Sequence, residues 1–598
     1  MANSSILADM PGTTETETGQ FTEASLYDPG EAWVNVRDPD YGATYDGSGA
    51  MTNAAAVIQA AINDASAAGG GTVLVPAGTY TLTAWVYVKS RVTVQGMPGS
   101  LIQNNGGGFR NGSFVTAVAA GADYDIAIRG LTIQDVSPNP ATPPSDDPGI
   151  ISLKFADRVR ISENRIYQTG NNTHLYGVKI YAALRDSWIT GNHHTLVGDF
   201  VYMMAGANDN VEISHNTVRG RRDLSSIPNG ISLWGGAKNI RVLSNDVRGI
   251  GDEGISVQDC SNVLVEANTV FDCDSSCIDV RGTNHNVTIA GNNVAYSNEG
   301  QGCIRVGAFV VNGSLGVPVG VSVTGNTVDA TPSVSGGPGI RIEGAEDVCV
   351  SGNDVYGTTG TGSGIVVQST YNTARNVVVS ANTVRNLIVG IEIHGCRGCA
   401  VDNNVVSGCA GSGIRTYSTA PVRLDITHNK CSRNGRTAAF SSGIEVNVGD
   451  RVRIMGNRCW DDQATPTQAF AILVNSAVTN AQIVDNDVSQ GGLLIAPWNH
   501  ANAPVLVRDN RGYTTRARNS VTVPAGATTL SVAHGLNRDI ESVNNVRITP
   551  RSNLGGLDYW VTDPTPGDGA FTINLSAAAP AGGASFSYEA WSDRMTAY

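Results

Sequence analysis

The chain has 598 residues, and its 39 basic and 53 acidic side chains give a formal net charge of −14. Only 15% of the residues are charged, and the 70 glycines follow no tripeptide period. These numbers exclude a collagen-like chain, argue against wholesale disorder, and argue against nucleic-acid binding through a basic surface. No run of 18 apolar residues occurs, so the sequence predicts no membrane-spanning helix and no membrane partner.

The amino-terminal segment comes before the first predicted element. Arg37 is the first basic residue, and no apolar stretch flanked by positive charge precedes it, so we expect no secretory signal. Residues 11–32 are rich in Thr, Glu, Gly and Pro. That composition is typical of a linker, and we assign residues 1–35 as a tail or particle-docking segment.

Residues 52–67 are predicted to form a capping helix. Apolar residues recur there at helical spacing, Thr52 is the expected N-cap, and the glycines at 69–71 end the helix. Residues 72–80 then follow as strand, turn and strand. We assign 36–100 as a cap with the first turns of a repeat, because an open stack of parallel strands needs its edge covered.

A short phrase recurs along the central part of the chain. It consists of two apolar residues at alternate positions, two spacers, an Asn, one spacer and an apolar residue, as in Val211 to Val218. The mean period is 26.6 residues, from (510 − 164)/13. The asparagines fall at positions 164, 192, 216, 245, 268, 292, 326, 353, 382, 404, 429, 457, 486 and 510.

A second short sequence phrase recurs together with the first. It reads small residue, apolar, any, apolar, as in Gly254-Ile-Ser-Val257. Alternation with period two predicts strands with an inward apolar face, and strands repeated in register bury a shared core only when the turns stack. The sequence therefore predicts a parallel β-helix of about sixteen turns over 101–515, with the asparagines in left-handed corners forming a ladder along the axis.

The cap region contains several short motifs that occur together. They are Asp40-Tyr-Gly-Ala43, Asp46-Gly47, Ala56 to Ile62, Gly69 to Val73, and Val75-Pro-Ala-Gly-Thr-Tyr80. In these motifs the region resembles the amino-terminal cap of the pectate-lyase-like superfamily, which implies a right-handed helix in an all-β fold. The resemblance leaves the reaction open, because the superfamily includes lyases, glycoside hydrolases, epimerases, fructan transferases and phage tailspikes.

The second phrase places two columns of side chains on one outward face, which we expect to be solvent-facing. Aromatic side chains offer flat faces to sugars, and carboxylates serve in proton transfer. We therefore predict a saccharide-binding groove, against the alternative of a solvated face with alternating salt bridges. Its predicted substrate-binding residues are Tyr181, Trp234, Gln258, Arg281, Arg305, Glu343, Glu392, His394 and Tyr417.

The densest acidic cluster supplies the predicted catalytic residues, which are Asp252, Glu253, Asp274 and Asp279. Ile250 to Val257 resembles the paired-aspartate turn of polygalacturonase-type hydrolases, which implies that Asp252 and Glu253 activate water and protonate the leaving oxygen. Asn229 stands where that family has another aspartate, and the family's Gly-His-Gly and Arg-Ile-Lys motifs are missing. Alternatively, these carboxylates bond backbone amides at a bend.

An elimination reaction is the first rival to hydrolysis. It needs a base, and the arginines near Asp279 and Glu343 could supply one, with Ca²⁺ on carboxylates. Otherwise we predict no cofactor and no metal site, because Cys396-Arg-Gly-Cys399 lacks a second pair or flanking histidines. We interpret the cysteines as free thiols and place His193-His194 in a loop.

The periodicity stops after Asn510. Residues 519–598 contain short strands separated by Gly, Pro and Asn turns, which predicts a small antiparallel β-sandwich. His534-Gly-Leu536, Tyr559-Trp560 and Phe571-Thr-Ile573 resemble a module at the end of phage tail and tailspike proteins. The resemblance implies a homotrimer that attaches to a phage tail or baseplate, resides in the virion and acts extracellularly.

These observations predict a tailspike-like depolymerase that binds and hydrolyses a host cell-surface polysaccharide. Two alternatives stay open. One is a polysaccharide lyase or epimerase on the same fold, and the other is a non-catalytic receptor-binding tail fibre.

Overall fold

A computed structural model describes most of the chain. The described residues are 32–105, 113–116, 123–136, 149–169, 176–196, 198–204, 206–220, 228–297, 300–311, 313–331, 337–358, 362–436, 441–490, 495–497, 505–537, 540, 542–562, 569–592 and 594–595. Nearly all of the predicted docking tail lies outside them.

The capping helix spans Ala54–Ala67. Its N-cap is Asn53, which makes no side-chain capping bond, so the assignment of Thr52 as N-cap was wrong by one residue. Its apolar stripe, including Val57, Ile58 and Ile62, is buried against the first turns. Two 3₁₀ helices complete the helical content of the described residues, at Pro39–Tyr41 and Val543–Asn545.

The body is a parallel β-helix whose turns contribute strands to three sheets. Sheet 1 contains the glycine phrase, sheet 2 the strand before each ladder asparagine, and sheet 3 the short strand after it. Sheet 1 consists of Val86–Tyr87, Phe114–Val115, Gly149–Leu153, Tyr176–Ile180, Val201–Met203, Ile231–Trp234, Ile255–Gln258, Ile278–Arg281, Ile304–Gly307, Ile340–Glu343, Ile365–Gln368, Ile391–His394, Ile414–Thr416, Ser442–Met455, Phe470–Thr479 and Ile495–Pro497.

Sheets 2 and 3 complete each turn, and the long strand Ser442–Met455 bends from sheet 1 into sheet 2. Sheet 2 further consists of Ala32–Asn35, Gly71–Val75, Val92–Gly96, Asp123–Arg129, Ala156–Ser162, Leu184–Thr190, Asp209–Ser214, Lys238–Leu243, Ser261–Glu266, His285–Ala290, Val319–Thr324, Glu346–Ser351, Val378–Ser380, Arg397–Asp402, Val422–Thr427, Gln482–Val484 and Val505–Arg508. Sheet 3 consists of Gly78–Leu82, Ser100–Asn104, Thr132–Asp135, Arg165–Gln168, His193–Leu196, Thr217–Gly220, Asp246–Ile250, Thr269–Cys273, Asn293–Ser297, Thr327–Asp329, Asp354–Tyr356, Thr383–Arg385, Val405–Ser407, Lys430–Ser432 and Arg458–Trp460.

One hydrophobic core runs along the inside of the helix, from Val36 to Tyr513. Val and Ile dominate it, because each strand turns every second side chain inward. His194 lies in a strand and is buried in this core against the ring of Phe200, at 4.8 Å between centroids. The prediction of a loop at His193-His194 was therefore wrong.

The asparagine ladder is continuous from Asn164 to Asn510. Each side-chain amide donates to the Oδ1 of the next asparagine at 2.9–3.1 Å, and all fourteen asparagines are buried. The left-handed residue is the one before each asparagine, as at His215 and Ala267 with φ of 55°. We expected the asparagine itself to take that conformation. The preceding residue instead makes the corner, and the asparagine closes it with hydrogen bonds.

The solenoid has about 13 turns, slightly fewer than the expected sixteen.

The residues after the solenoid form two antiparallel three-stranded sheets. One contains Arg516–Val523, Val546–Pro550 and Ala584–Trp591, and the other contains Thr529–Ala533, Tyr559–Thr562 and Ala570–Leu575. Buried residues of both, including Val532, Phe571 and Phe586, form one cluster. The strand Arg594–Met595 pairs with Val505–Arg508 of the solenoid. The division of the chain into separate domains, with 519–598 as a β-sandwich, stays a prediction.

Among the described residues, no helix is long and apolar enough to cross a membrane.

Candidate functional site

Sheet 1 stacks the two predicted columns in register. In the first column Ser232, Ser256, Asp279, Arg305 and Arg341 are direct partners on successive turns. Neighbouring strands of a sheet lie about 4.8 Å apart. Side chains from five turns therefore share one outer face within about 19 Å.

The strand Val201–Met203 adds a turn that the sequence reasoning missed. Tyr202 pairs with Lys179 on one side and Ser232 on the other, so it belongs to the first column. This turn lacks the small residue of the glycine phrase, because Phe200 stands in its place. The apolar–polar–apolar alternation of Val201-Tyr-Met203 is the sequence pattern that could have indicated this strand.

The middle of this face is buried, whereas we expected it to be solvent-facing. Ser232, Ser256 and Asp279 have no exposed surface, and Gln258 is buried as well. Asp279 is in contact with the guanidinium groups of Arg281 and Arg305, which reach it from the same turn and the next. Long side chains of the columns thus cover the short ones.

Arg281 joins two of the predicted catalytic carboxylates. Its Nη1 lies 2.6 Å from Glu253 Oε1 and 3.3 Å from Asp279 Oδ2. The two carboxylate oxygens can be no further apart than those distances combined, 5.9 Å. Arg281 Nε also donates to Gln258 Oε1 at 3.2 Å. The carboxylates of the predicted pair, Glu253 and Asp279, therefore both contact the guanidinium group of Arg281, and Gln258 orients that group.

Burial shifts the acidity of both carboxyl groups. It raises the pKa of Glu253 to about 7, with Asp252 adding to the rise and Arg281 opposing it. It raises the pKa of Asp279 to about 6, against the opposing effect of Arg281 and Arg305. Near neutral pH the protonated form of Glu253 and the ionised form of Asp279 are both well populated.

The other two predicted catalytic residues lie at bends beside this pair. Asp252 is half-buried and directly precedes Glu253. Asp274 is half-buried at the corresponding bend of the next turn, where its backbone N–H donates to Ile250 O at 3.0 Å. The structure thus brings Asp252 to Glu253 and places Asp274 on the next turn.

Asp199 is a further buried carboxyl group that the sequence reasoning missed. It accepts hydrogen bonds from Ser232 Oγ at 2.7 Å and from the backbone N–H of Asn229 at 2.8 Å. Burial raises its pKa to about 7, and Glu253 adds to the rise. It belongs to the missed turn at Val201–Met203 and stands two turns before Glu253.

Aromatic side chains line the amino-terminal end of the face. The rings of Tyr176 and Tyr202 stack at 4.7 Å, and the ring of Trp234 lies 5.8 Å from that of Tyr202. The Lys179 ammonium lies 4.4 Å from the ring centroid of Tyr181. Tyr181 and Trp234 thus lie where the sequence predicted, and Tyr176 and Tyr202 extend the same surface.

The carboxy-terminal end carries a second group of predicted residues. Glu392 accepts a hydrogen bond from Arg415 Nε at 3.0 Å, and His394 Nε2 lies 3.3 Å from Glu392 Oε1. Hydrogen bonds from His394 and Arg415 outweigh burial and hold the pKa of Glu392 at about 2. Tyr417 is half exposed, with its ring centroid 5.6 Å from that of His394. This end is a paired ionic surface, as the salt-bridge alternative predicted.

Several buried polar atoms along the face have no hydrogen-bond partner among the described residues. Such atoms are rare in folded proteins. The buried atoms without such a partner include Trp234 Nε1, Ser256 Oγ, Ser276 Oγ, both carboxylate oxygens of Asp279, and Arg341 Nε.

Among the described residues, no group of three or more His, Cys, Asp or Glu side chains is arranged to hold a metal ion. All ten cysteines are free thiols, and nine are buried, including Cys396 and Cys399.

Comparison with known proteins agrees with this architecture. Three family models match, described as right handed beta helix region at residues 148–328, rhamnogalacturonase A/epimerase, pectate lyase-like at 33–137, and periplasmic copper-binding protein (NosD) at 319–510. The chain folds as a right-handed parallel β-helix, and these family matches support a place in the pectate-lyase-like superfamily. A search of the curated proteins finds no match.

Solved structures similar to this chain include three with low sequence identity. A tailspike protein of E. coli bacteriophage HK620, solved with a pentasaccharide, is 14% identical with a TM-score of 0.47 and covers 93% of each chain. The Streptococcus pneumoniae surface adhesin PfbA is 17% identical with a TM-score of 0.43, covering 58% of this chain and 90% of its own. The Azotobacter vinelandii mannuronan C-5 epimerase AlgE4 A-module is 16% identical with a TM-score of 0.28, covering 80% of this chain and 100% of its own.

Proposed function

We propose that the outer face of sheet 1 binds a polysaccharide and that Glu253 and Asp279 hydrolyse one of its glycosidic bonds. The observation that carries this proposal is the pair of buried carboxyl groups held on Arg281 next to an aromatic surface. Glycoside hydrolysis uses two carboxyl groups, one protonated and one ionised. Raised and unequal pKa values supply both forms near neutral pH.

In this mechanism Glu253 is the general acid, because its pKa of about 7 leaves it partly protonated at neutral pH. Asp279 is the ionised partner. Inverting enzymes keep their carboxyl groups about 6.5–9.5 Å apart to admit water. The 5.9 Å limit between Glu253 Oε1 and Asp279 Oδ2 is shorter. It favours a double displacement in which Asp279 is the nucleophile and the anomeric configuration is retained.

Arg281 lies over the pair, so a substrate must displace this side chain to reach Asp279. Its guanidinium carbon is 5.2 Å from the ring centroid of Phe309, on the hairpin formed by Phe309–Val311 and Ser314–Gly316. The hairpin gives Arg281 an aromatic face to rest on.

The test uses the purified full chain with a panel of bacterial envelope polysaccharides. We expect shortened oligosaccharides from at least one of them, and NMR of the first product should show the anomer of the substrate. Glu253→Gln and Asp279→Asn should each abolish cleavage, while Glu346→Gln, an outward carboxylate on sheet 2, should not. Unaltered cleavage in both site variants would refute the assignment. Ultraviolet absorbance from a conjugated alkene in the product would indicate a lyase instead.

Two alternatives lead to different outcomes in the same assay. A lyase would need a neutral base, and the carboxylates around Arg305 raise the pKa of that residue despite its burial, which disfavours it as the base. A receptor-binding fibre would bind a polysaccharide of the panel and release no fragment, and its binding would not depend on Glu253. Calcium dependence belongs to the lyase alternative.

We extend the proposal to the biological context. A docking tail at 1–35 and the resemblance of the carboxy-terminal segment to a tailspike module support a phage tailspike that is a homotrimer, attaches to a tail or baseplate, and acts on the host envelope as part of the virion. Light scattering of the purified chain should give three times the monomer mass of 62.3 kDa. A monomer would contradict this assembly.

A further inference from the structure

The charge pattern of the first column breaks at Arg341. Elsewhere in the column each arginine has a carboxylate as a direct partner. Arg305 follows Asp279, and Arg415 stands between Glu392 and Glu445. Arg341 instead stands between Arg305 and Val366. Like charges directly opposite each other are destabilising, so this pair of arginines needs another explanation.

The contacts of Arg341 leave its charge incompletely compensated. Its Nη2 donates to Gly300 O at 2.8 Å and its Nη1 to Gln301 Oε1 at 3.5 Å, both neutral acceptors. Within the described residues it makes no ion pair, and its buried Nε has no acceptor. Burial and the neighbouring Arg305 lower its pKa, while Glu343 opposes them. The side chain is half-buried, so part of it still reaches the surface.

The nearby carboxylates are already engaged by other arginines. Glu343 pairs with Arg305 at 3.1 Å, and Glu253 and Asp279 pair with Arg281. Three guanidinium groups therefore face three carboxyl groups, two of which have pKa values of about 7 and about 6. As those two take up protons, the cluster gains positive charge.

Gly307 is the register partner of Arg281 and Glu343 in the second column, so the outer position between them carries no side chain. The glycine is buried, and a Cβ placed there would lie 3.4 Å from Arg305 Nε, 3.5 Å from Glu343 Cβ and 3.6 Å from Glu343 Oε2. This position lies directly beside Arg305 and one strand from Arg341, and an anion that enters it must displace the Glu343 carboxylate.

We propose that Arg341 and Arg305 form a subsite for an anionic substituent, a carboxylate or a phosphate, on a sugar unit of the polysaccharide. This inference rests on the proposed polysaccharide groove and adds that the substrate is acidic. A planar guanidinium binds a carboxylate or phosphate through two parallel hydrogen bonds. An anion here relieves the repulsion between Arg341 and Arg305. The subsite lies two turns beyond Asp279, about 10 Å away.

The test is calorimetric titration of the full chain with glucuronic acid, glucose 6-phosphate and glucose. We expect at least one anionic sugar to bind more tightly than glucose. Arg341→Gln should weaken that binding by about tenfold or more, since hydrogen bonds to charged groups are the strong ones. Arg341→Lys should restore part of it. Arg453→Gln, which removes an exposed guanidinium on sheet 2, is the matched control and should leave it unchanged.

The outcomes separate this inference from the proposed hydrolysis. Equal binding of all three sugars, or unchanged binding in Arg341→Gln, overturns the subsite even if the protein cleaves polysaccharide. Glu253→Gln should lose cleavage and keep the binding of the anionic sugar. Binding through Arg341 without cleavage of any polysaccharide refutes the hydrolysis and supports the subsite. The tighter of the two anionic sugars identifies the substituent.

Discussion

The asparagine ladder gives a stability prediction whose size follows from the hydrogen bonds. The side chain of Asn292 takes part in four of them. Its Oδ1 accepts from the backbone N–H and the side-chain amide of Asn268 at 2.9 and 3.0 Å. Its Nδ2 donates to Val265 O and to Asn326 Oδ1, both at 2.9 Å. All four bonds are buried.

Asn292→Ala removes these bonds and leaves buried partners behind. Each net hydrogen bond contributes about 1 kcal/mol, and an unsatisfied buried group costs about 1–3 kcal/mol. We therefore expect a loss of about 4 kcal/mol in the free energy of unfolding. Asn292→Asp should be at least as damaging, because a carboxylate oxygen would face two acceptors, Val265 O and Asn326 Oδ1.

Urea unfolding followed by far-ultraviolet circular dichroism measures the effect. Asn293→Ala is the control, because Asn293 is the next residue and its side chain is exposed. We expect that control to change the free energy of unfolding by less than about 0.5 kcal/mol. Equal midpoints for Asn292→Ala and Asn293→Ala would refute the view that the ladder holds the turns together.

Three further predictions concern titration and thiol access. If Glu253 acts protonated and Asp279 ionised, kcat/KM should fall below pH about 6 and above pH about 7, and a profile flat over that range would contradict the roles. Burial lowers the pKa of His194 to about 3, against an ordinary value of about 6.5. Below pH about 6.5 this residue therefore takes up a proton when the protein unfolds, and through it the free energy of unfolding should fall by about 2 kcal/mol between pH 7 and pH 5. His194→Phe should reduce that pH dependence in thermal unfolding, and an unchanged pH dependence in this variant would refute the assignment. Iodoacetamide should label Cys349 in the native protein and all ten cysteines after denaturation, as counted by mass spectrometry, and rapid native labelling of several thiols would contradict the packing.

The solenoid was predictable from the sequence because its structure is locally periodic. Each turn contacts only its neighbours, so each of the fourteen repeats of the phrase packs against the next turn in the same way. The ladder and the stacking of the turns follow from that repeat. The residue that takes the left-handed conformation does not, since Gly, Ser, Ala and His all occupy the position before the asparagine.

The site was only partly predictable. Glu253, Asp279, Arg281 and the outer columns follow from register, because parallel partners sit directly above one another. Asp199 and Tyr202 belong to a turn without the glycine phrase and were missed. Three features depend on side chains from several turns. They are the contact of Glu253 and Asp279 with Arg281, the burial that raises both of their pKa values, and the incompletely compensated charge of Arg341. The sequence alone determined which residues share a face, and the tertiary structure decided which of them touch and which lose water, because contact and solvation depend on side-chain packing between turns.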